Sequence, residues 1–282
     1  MAVQLEIRDG QPYWYLSPDI WAVPGSDPNG APGTPIAGTP AYVWAHVINH
    51  GSDPADGTRV DFWWADPSGQ VLRSNSHPIG SAFADLAPAG MPGSSQDVLC
   101  LVPWNVVVVN NGHECLVAVA NHAGSSVPTP PPDDFNPPQY PEVAQKNLTV
   151  LMAAMMRMTH AVTIGAGARA DKVVRVAAEI GGALDERLLV RLGLGKYRPA
   201  DRDSVEAGLQ REPGCVGKDG GLGEPALEVK VPRGTRTAVH VAMRVRRLPP
   251  GTYALVNVVE RDRDRVLGGY GFVVIEGKKE AR

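Results

Sequence analysis

The chain has 282 residues, 43% of them hydrophobic and 20% charged, which suits one large or two ordinary globular domains. With 31 Gly and 26 Pro against 4 Phe it should turn often and form few long helices, and three Cys suit a reducing compartment better than a disulfide framework. The net charge of −3 hides an asymmetry: residues 1–150 carry 4 Lys+Arg against 14 Asp+Glu, a net −10, while residues 151–282 carry 23 against 16, a net +7.

All six Trp lie in the acidic half, so two domains with different surfaces are expected, 1–150 and 151–282. The opening MAVQLEIRDGQPYW lacks the apolar core of a signal peptide, and no apolar run approaches a transmembrane length. Neither Sec export nor membrane insertion is indicated. A cytoplasmic location is expected, with export by a non-classical route left open.

Strands are predicted in the first half at Ile20–Val23, Tyr42–Asn49, Arg59–Ala65, Asp97–Val102, Cys115–Ala120 and Asn147–Leu151. The stretches PGSDPNGAPGTP (24–35), HGSDPADG (50–57) and APAGMPGSSQ (87–96) punctuate them as turns. Asn49-x-Gly51 marks a strand exit that tolerates positive φ, and Trp63 or Trp64 is expected at the centre of a sandwich core. Asn110-Asn111-Gly112 reads as a type I′ hairpin turn, pairing Val106–Asn110 with His113–Val117. The segment VPTPPPDDFNPPQYP (127–141) reads as a long proline-rich loop ahead of the last strand of this domain.

In the second half, Lys172–Ile180, Ala226–Val231, Thr237–Val245, Thr252–Glu260 and Tyr270–Ile275 are predicted strands, with turns at Pro249-Pro250-Gly251 and Gly268-Gly269. Two stretches, 151–158 and 183–195, fit either helix or strand. The expected fold is all-β, two tandem immunoglobulin-like antiparallel β-sandwiches.

Several residue groups in order carry a family likeness: Ser17-Pro18-Asp19-Ile20-Trp21, Val47-Ile48-Asn49-His50-Gly51, Phe62-Trp63-Trp64-Ala65-Asp66-Pro67, Val102-Pro103-Trp104, Gly112-His113-Glu114-Cys115-Leu116 and Val143-Ala144-Gln145-Lys146-Asn147-Leu148. Together they resemble bacterial immunoglobulin-like sandwich domains of the cell-adhesion-related (CARDB-like) kind, over about residues 17–150. In the second half only Leu248-Pro249-Pro250-Gly251-Thr252-Tyr253 is similar, in the manner of a tyrosine corner. The resemblance implies a β-sandwich with an adhesive or assembly role, and it brings no catalytic residues.

Chemistry-bearing candidates fall to packing readings. His113 and Cys115 share one strand face, but zinc needs three or four ligands and only these two offer themselves locally. Cys215 sits in a glycine-rich loop. Asp53-Pro-Ala-Asp56 and Asp133-Asp134 lack the alternation of a calcium loop. No nucleophile elbow, zincin, P-loop or C-x-x-C motif is present. No catalytic residue, cofactor or metal is therefore expected, and nucleic-acid binding is disfavoured because Arg261–Arg265 interleaves Asp.

The expectation is a non-enzymatic structural or interaction protein within a larger assembly. Its candidate contact residues are Phe135 and Tyr140 of the proline-rich loop, Trp14, and Arg244, Arg246 and Arg247. Partners are expected to be proteins, the chain itself head to tail among them. A carbohydrate-binding or adhesion module is the alternative, using Trp14 with Tyr13 and Tyr15, and a metal-dependent enzyme with a non-local site is a further one.

Overall fold

A computed structural model describes residues 3–107, 115–153, 157–212 and 221–277. The expected hairpin turn at 110–112, His113, Glu114 and Cys215 lie outside the described residues. The protein is all-β, with 51% strand and 5% helix, the helix far below the third that is ordinary for globular domains.

The chain forms two compact units. Unit 1 holds residues 1–66, 71–146 and 184–195; unit 2 holds 67–70, 147–183 and 196–282. Each unit thus takes a short segment from the other half of the sequence.

In unit 1, β1 (Leu5–Glu6), β2 (Ile20–Pro24) and β3 (Pro40–Asn49) build one sheet with β6 (Ser95–Leu99) and β7 (Trp104–Asn105). β3 is its spine: β2 pairs with Ala41–Ala45, β1 with Ile48–Asn49, and β6 with Trp44–Ile48. Strict alternation buries Ala41, Val43, Ala45 and Val47. The second sheet runs β5-β4-β8-β9, from β4 (Ala55–Ala65), β5 (Ser76–Leu86), β8 (Cys115–Asn121) and β9 (Val143–Lys146), all antiparallel. Val60, Phe62, Leu86, Leu116, Ala118 and Ala144 of this sheet share one core with Ile20, Val43, Val47 and Val98 of the first. Two sheets closing on one core make the unit sandwich-like.

The core corrects one expectation. Phe62, 1% exposed, takes the central place, and Trp63 and Trp64 are only partly buried. Alternation turns Asp61 and Trp63 outward, and the register shift between Phe62 and Trp63 sets Trp64 against Trp104 and His77. Asn49 ends β3 by side-chain bonding instead of positive φ: it accepts from Gly51 N–H at 2.9 Å and donates to the carbonyls of Asp53 and Ala87.

The stretch 184–195 carries α1 (Glu186–Arg191), capped by Asp185, whose carboxylate accepts the backbone N–H of Arg187 at 2.8 Å. It buries Leu188 and Leu189 in unit 1.

Unit 2 begins with a correction. The strand expected at Asn147–Leu151 as the last of the first domain is β10 (Leu148–Ala153), and it pairs parallel with Gly271–Glu276 of unit 2. Its sheet runs β10-β18-β17-β12-β15, from β12 (Lys172–Ile180), β15 (Ala226–Val231), β17 (Thr252–Asp262) and β18 (Arg265–Glu276), with β13 (Arg198–Pro199) parallel to β17. Purely antiparallel sheets therefore do not describe this unit. A second sheet sets β16 (Arg236–Val245) between β11 (Arg157–Gly165) and β14 (Val205–Gln210). The ring of His160 on β11 lies 5.4 Å from Phe272 on β18.

Gly268-Gly269, expected as a turn, lies inside β18. A Cβ on Gly268 would come within 2.2 Å of the Gly69 carbonyl, so glycine permits the close approach of segment 67–70. The turn is supplied instead by Asp262–Arg265, with Arg263 at φ 53°.

Candidate functional site

Proline supplies no N–H, so the proline-rich segment is tied down largely through its carbonyls and non-proline side chains. Arg73 Nε donates to the Pro131 carbonyl at 2.9 Å, and Ser74 N–H to the Asp133 carboxylate at 2.8 Å. Asn121 Nδ2 donates to Thr129 Oγ1 at 2.7 Å. Ahead of it, the Ser126 hydroxyl and N–H both bond the buried Glu142 carboxylate. Phe135 anchors the middle, fully buried in left-handed backbone at φ 54°, its ring edge-on to Trp63 at 5.4 Å.

Two concavities of unit 1 are lined by this segment. The larger, about 440 Å³, sets Pro137, Pro138 and Pro141 with Glu6, Ile7, Arg8, Asp9 and Asp185. The smaller, about 220 Å³, sets Pro130 and Pro131 with Trp63, Arg59, Asp61 and Ser81. In the smaller, Arg59 Nε donates to Asp61 at 2.8 Å and the Ser81 hydroxyl also donates to Asp61.

The larger concavity is backed by an ionic hub. Asp19, fully buried, accepts two bonds from Arg8 at 2.7 and 2.8 Å and one from Arg187 at 3.2 Å, with Arg191 at 3.6 Å. Burial pushes Asp19 up, but Arg8, His46 and Arg191 outweigh it and hold the carboxyl below its usual range. Burial in turn lowers Arg191 to about 10, against the pull of Asp19. Its guanidinium lies 3.5 Å over the Trp21 ring, which stacks on Trp44. Lys146, 6% exposed at the end of β9, is lowered to about 8 by burial and then by Arg191.

Unit 2 holds a separate buried pair. Glu260, fully buried, meets Lys172 at 2.5 Å and accepts Gln70 N–H at 2.8 Å, while Lys172 also donates to Gln70 Oε1 at 2.7 Å. These contacts fasten segment 67–70 into that unit.

The residues expected to make contacts fall in different places. Phe135 is corrected from a surface residue to a core anchor, because its ring is consumed by Trp63. Tyr140 is half-buried, and its hydroxyl accepts a bond from Gln139 at 3.2 Å. Trp14 is half-buried, edge-on to Tyr15 at 5.6 Å. Arg244 and Arg246 of unit 2 come together on Glu206, and Arg247 is exposed. Sequence reasoning missed Asp9 and Asp185. The available signal was Asp185 heading an apolar stretch that carries two arginines four residues apart.

Among the described residues, Cys100 and Cys115 are buried, and no group of three or more His, Cys, Asp or Glu is arranged to hold a metal ion. No described helix is long and apolar enough to cross a membrane.

Fold and concavities together define an all-β protein whose first unit is sandwich-like and carries a proline-walled surface. No protein-family model matches the chain, and no curated protein does. Among solved structures, the chain is similar to CBD12 from CALX1.2, at 12% identity and a TM-score of 0.22, covering 78% of this chain and 74% of that one. It is also similar to the apo form of a Pleurotus ostreatus lectin, at 11% identity and a TM-score of 0.17, covering 97% and 85%. The fold class rests on the strand pairing and the shared core, independently of these likenesses.

Proposed function

We propose that this chain is a non-enzymatic recognition and scaffolding protein, a component of a larger assembly, that meets a protein partner through the proline-rich segment of its acidic unit. On this reading the two units are immunoglobulin-like sandwiches. The carrying observation is that the segment is fixed at Asn121, Arg73, Ser74 and Trp63 while Pro130, Pro138 and Pro141 stay exposed beside the two concavities. A surface already ordered loses little conformational entropy on binding.

Charge supports a basic partner. Counted by unit, the asymmetry persists: unit 1 carries 6 Lys+Arg against 16 Asp+Glu, a net −10, and unit 2 carries 21 against 14, a net +7. A second copy of the chain offers such a basic surface. Light scattering at low and high salt separates self-association from a foreign partner.

The direct test places a benzophenone photocrosslinker at Pro130 or Pro138, with a control at the exposed Val173 of unit 2. Discrete adducts from the two proline positions and none from Val173 are expected. Adducts from Val173 alone would overturn the proposal. A second reading, carbohydrate recognition, is favoured by the Trp63 groove, which offers an aromatic wall beside the Arg59, Asp61 and Ser81 network. Retention on a glycan array that is lost in Trp63→Ala would select it.

A further inference from the structure

Alternation along β4 turns Arg59, Asp61 and Trp63 to the outer face of their sheet, while Val60 and Phe62 enter the core. Across the pairing with β5, Ser81 stands opposite Asp61 and Phe83 opposite Arg59, so these side chains share that face. The smaller concavity of unit 1, about 220 Å³, opens here against the rings of Pro78, Pro130 and Pro131. Its walls are fixed before anything binds. Phe135 meets Trp63 edge-on at 5.4 Å, Arg73 bonds the Pro131 carbonyl, and Asn121 bonds the Thr129 hydroxyl.

The polar row of this groove is only half engaged. Arg59 Nε and Nη2 both reach Asp61 Oδ1 at 2.8 Å, and Nη2 donates to Ser81 Oγ at 3.2 Å. The Ser81 hydroxyl donates to the same Asp61 oxygen. Asp61 Oδ2 and Arg59 Nη1 have no hydrogen-bond partner among the described residues, and neither is closed to solvent. The two side chains are 17% and 52% exposed, so a ligand can reach them. An acceptor and a donor thus stand side by side, oriented by the bonds already made.

The pair is neutral as a whole. An anion approaching Arg59 meets Asp61, and a cation approaching Asp61 meets Arg59. A neutral group with adjacent hydroxyls meets neither repulsion: one hydroxyl accepts from Arg59 Nη1 and its neighbour donates to Asp61 Oδ2. The Trp63 wall asks for apolar surface, which the C–H face of a pyranose presents to an indole ring. A volume below the roughly 300 Å³ at which drug-sized pockets begin suits one such ring.

We infer that this groove binds a neutral pyranose, stacked on Trp63 and held through a vicinal diol by Arg59 and Asp61, as a free sugar or as one residue of a glycan. This rests on the carbohydrate reading above and goes beyond it by naming the sugar's charge and the two atoms that select it. Phe83, 69% exposed beside Arg59, lies about 13 Å along the strand from Trp63 at roughly 3.3 Å per residue, where a further sugar of a chain would reach.

The test titrates the full chain with the methyl glycosides of glucose, galactose, mannose and N-acetylglucosamine, and with methyl glucuronide as the charged control. At least one neutral glycoside at millimolar concentration should shift the Trp63 indole N–H and the amides of 59–63 and 78–81. Its affinity should not change between low and high salt, and the glucuronide should bind no tighter. Asp61→Asn should weaken it about tenfold, the worth of one charge-assisted bond. Trp63→Ala should abolish it, and Trp63→Phe, which keeps an aromatic wall if the first variant misfolds, should retain part. A trisaccharide of the responding sugar that binds tighter, with the gain lost in Phe83→Ala, would point to a glycan chain; one that binds like the monosaccharide would point to free sugar, and both support the site. No response to any of the four neutral glycosides, shifts confined to other residues, binding unchanged in Asp61→Asn and Trp63→Phe alike, or a glucuronide bound tenfold tighter would each overturn it. Array retention of acidic glycans alone, lost in Trp63→Ala, would keep the carbohydrate reading and remove only the neutral-diol assignment. Crosslinking at Pro138, which lines the other concavity, reports on the protein partner independently.

Discussion

Replacing Lys146 with Met should stabilise this protein at neutral pH. The side chain is 6% exposed, and methionine matches its unbranched shape without the ammonium. Burial, then the neighbouring Arg191, lower its pKa from 10.5 to about 8. That depression corresponds to about 3 kcal/mol of penalty on the charged form. The sign follows from proton counts. Between about 8 and 10.5 the unfolded chain keeps a proton that the folded chain has released, so wild-type stability climbs with pH across that window. Below it both states are protonated and the full penalty stands. Urea unfolding at a series of pH values should show the variant ahead by about 3 kcal/mol at neutral pH and level with wild type once the pH passes 10.5. A variant less stable at neutral pH, or a gap that does not change with pH, would refute the argument by showing that the ammonium is stabilised where it lies.

Phe135→Ala should cost about 3–5 kcal/mol, because it removes a fully buried ring from Trp63. Amide exchange should accelerate across 127–141 in that variant. Lys172→Met strands the Glu260 carboxylate and should cost about 3–5 kcal/mol at neutral pH in urea unfolding. Burial already holds Glu260 above the usual carboxylate range, so this loss should shrink on acidification as the carboxyl takes up a proton. Asp9→Asn removes a group that keeps its proton in the folded chain from 3.8 to about 8 after the unfolded chain has lost it. Wild-type stability should therefore fall as pH rises through that window, and unfolding of the variant should lack this decline.

Much of the strand framework was legible in the sequence because its residues alternate on a half-buried surface. Pro40–Asn49 buries every second side chain, and the Pro249-Pro250-Gly251 turn delivers Tyr253 to a buried position, as read. Strand Ser76–Leu86 escaped because Pro78, Gly80 and small exposed residues suit a sheet edge and leave little hydrophobic period. The exchange of segments escaped for another reason. Leu148–Ala153 reads as a strand whichever sheet receives it, and only long-range pairing with Gly271–Glu276 decides its unit. The proline-rich segment was legible as a long loop, but not the sinking of Phe135 or the meeting of Arg8, Arg187 and Arg191 on Asp19. Charge patterns alone do not say which surface residues the fold will turn inward.

The recognition role is tested most directly by hydrogen–deuterium exchange on the full chain, with and without the partner captured by crosslinking at Pro138. Slowed exchange is expected at residues 5–11 and across 127–141, with β12 and β15 of unit 2 unchanged. Protection confined to unit 2, with 127–141 exchanging as in the free chain, would contradict the account.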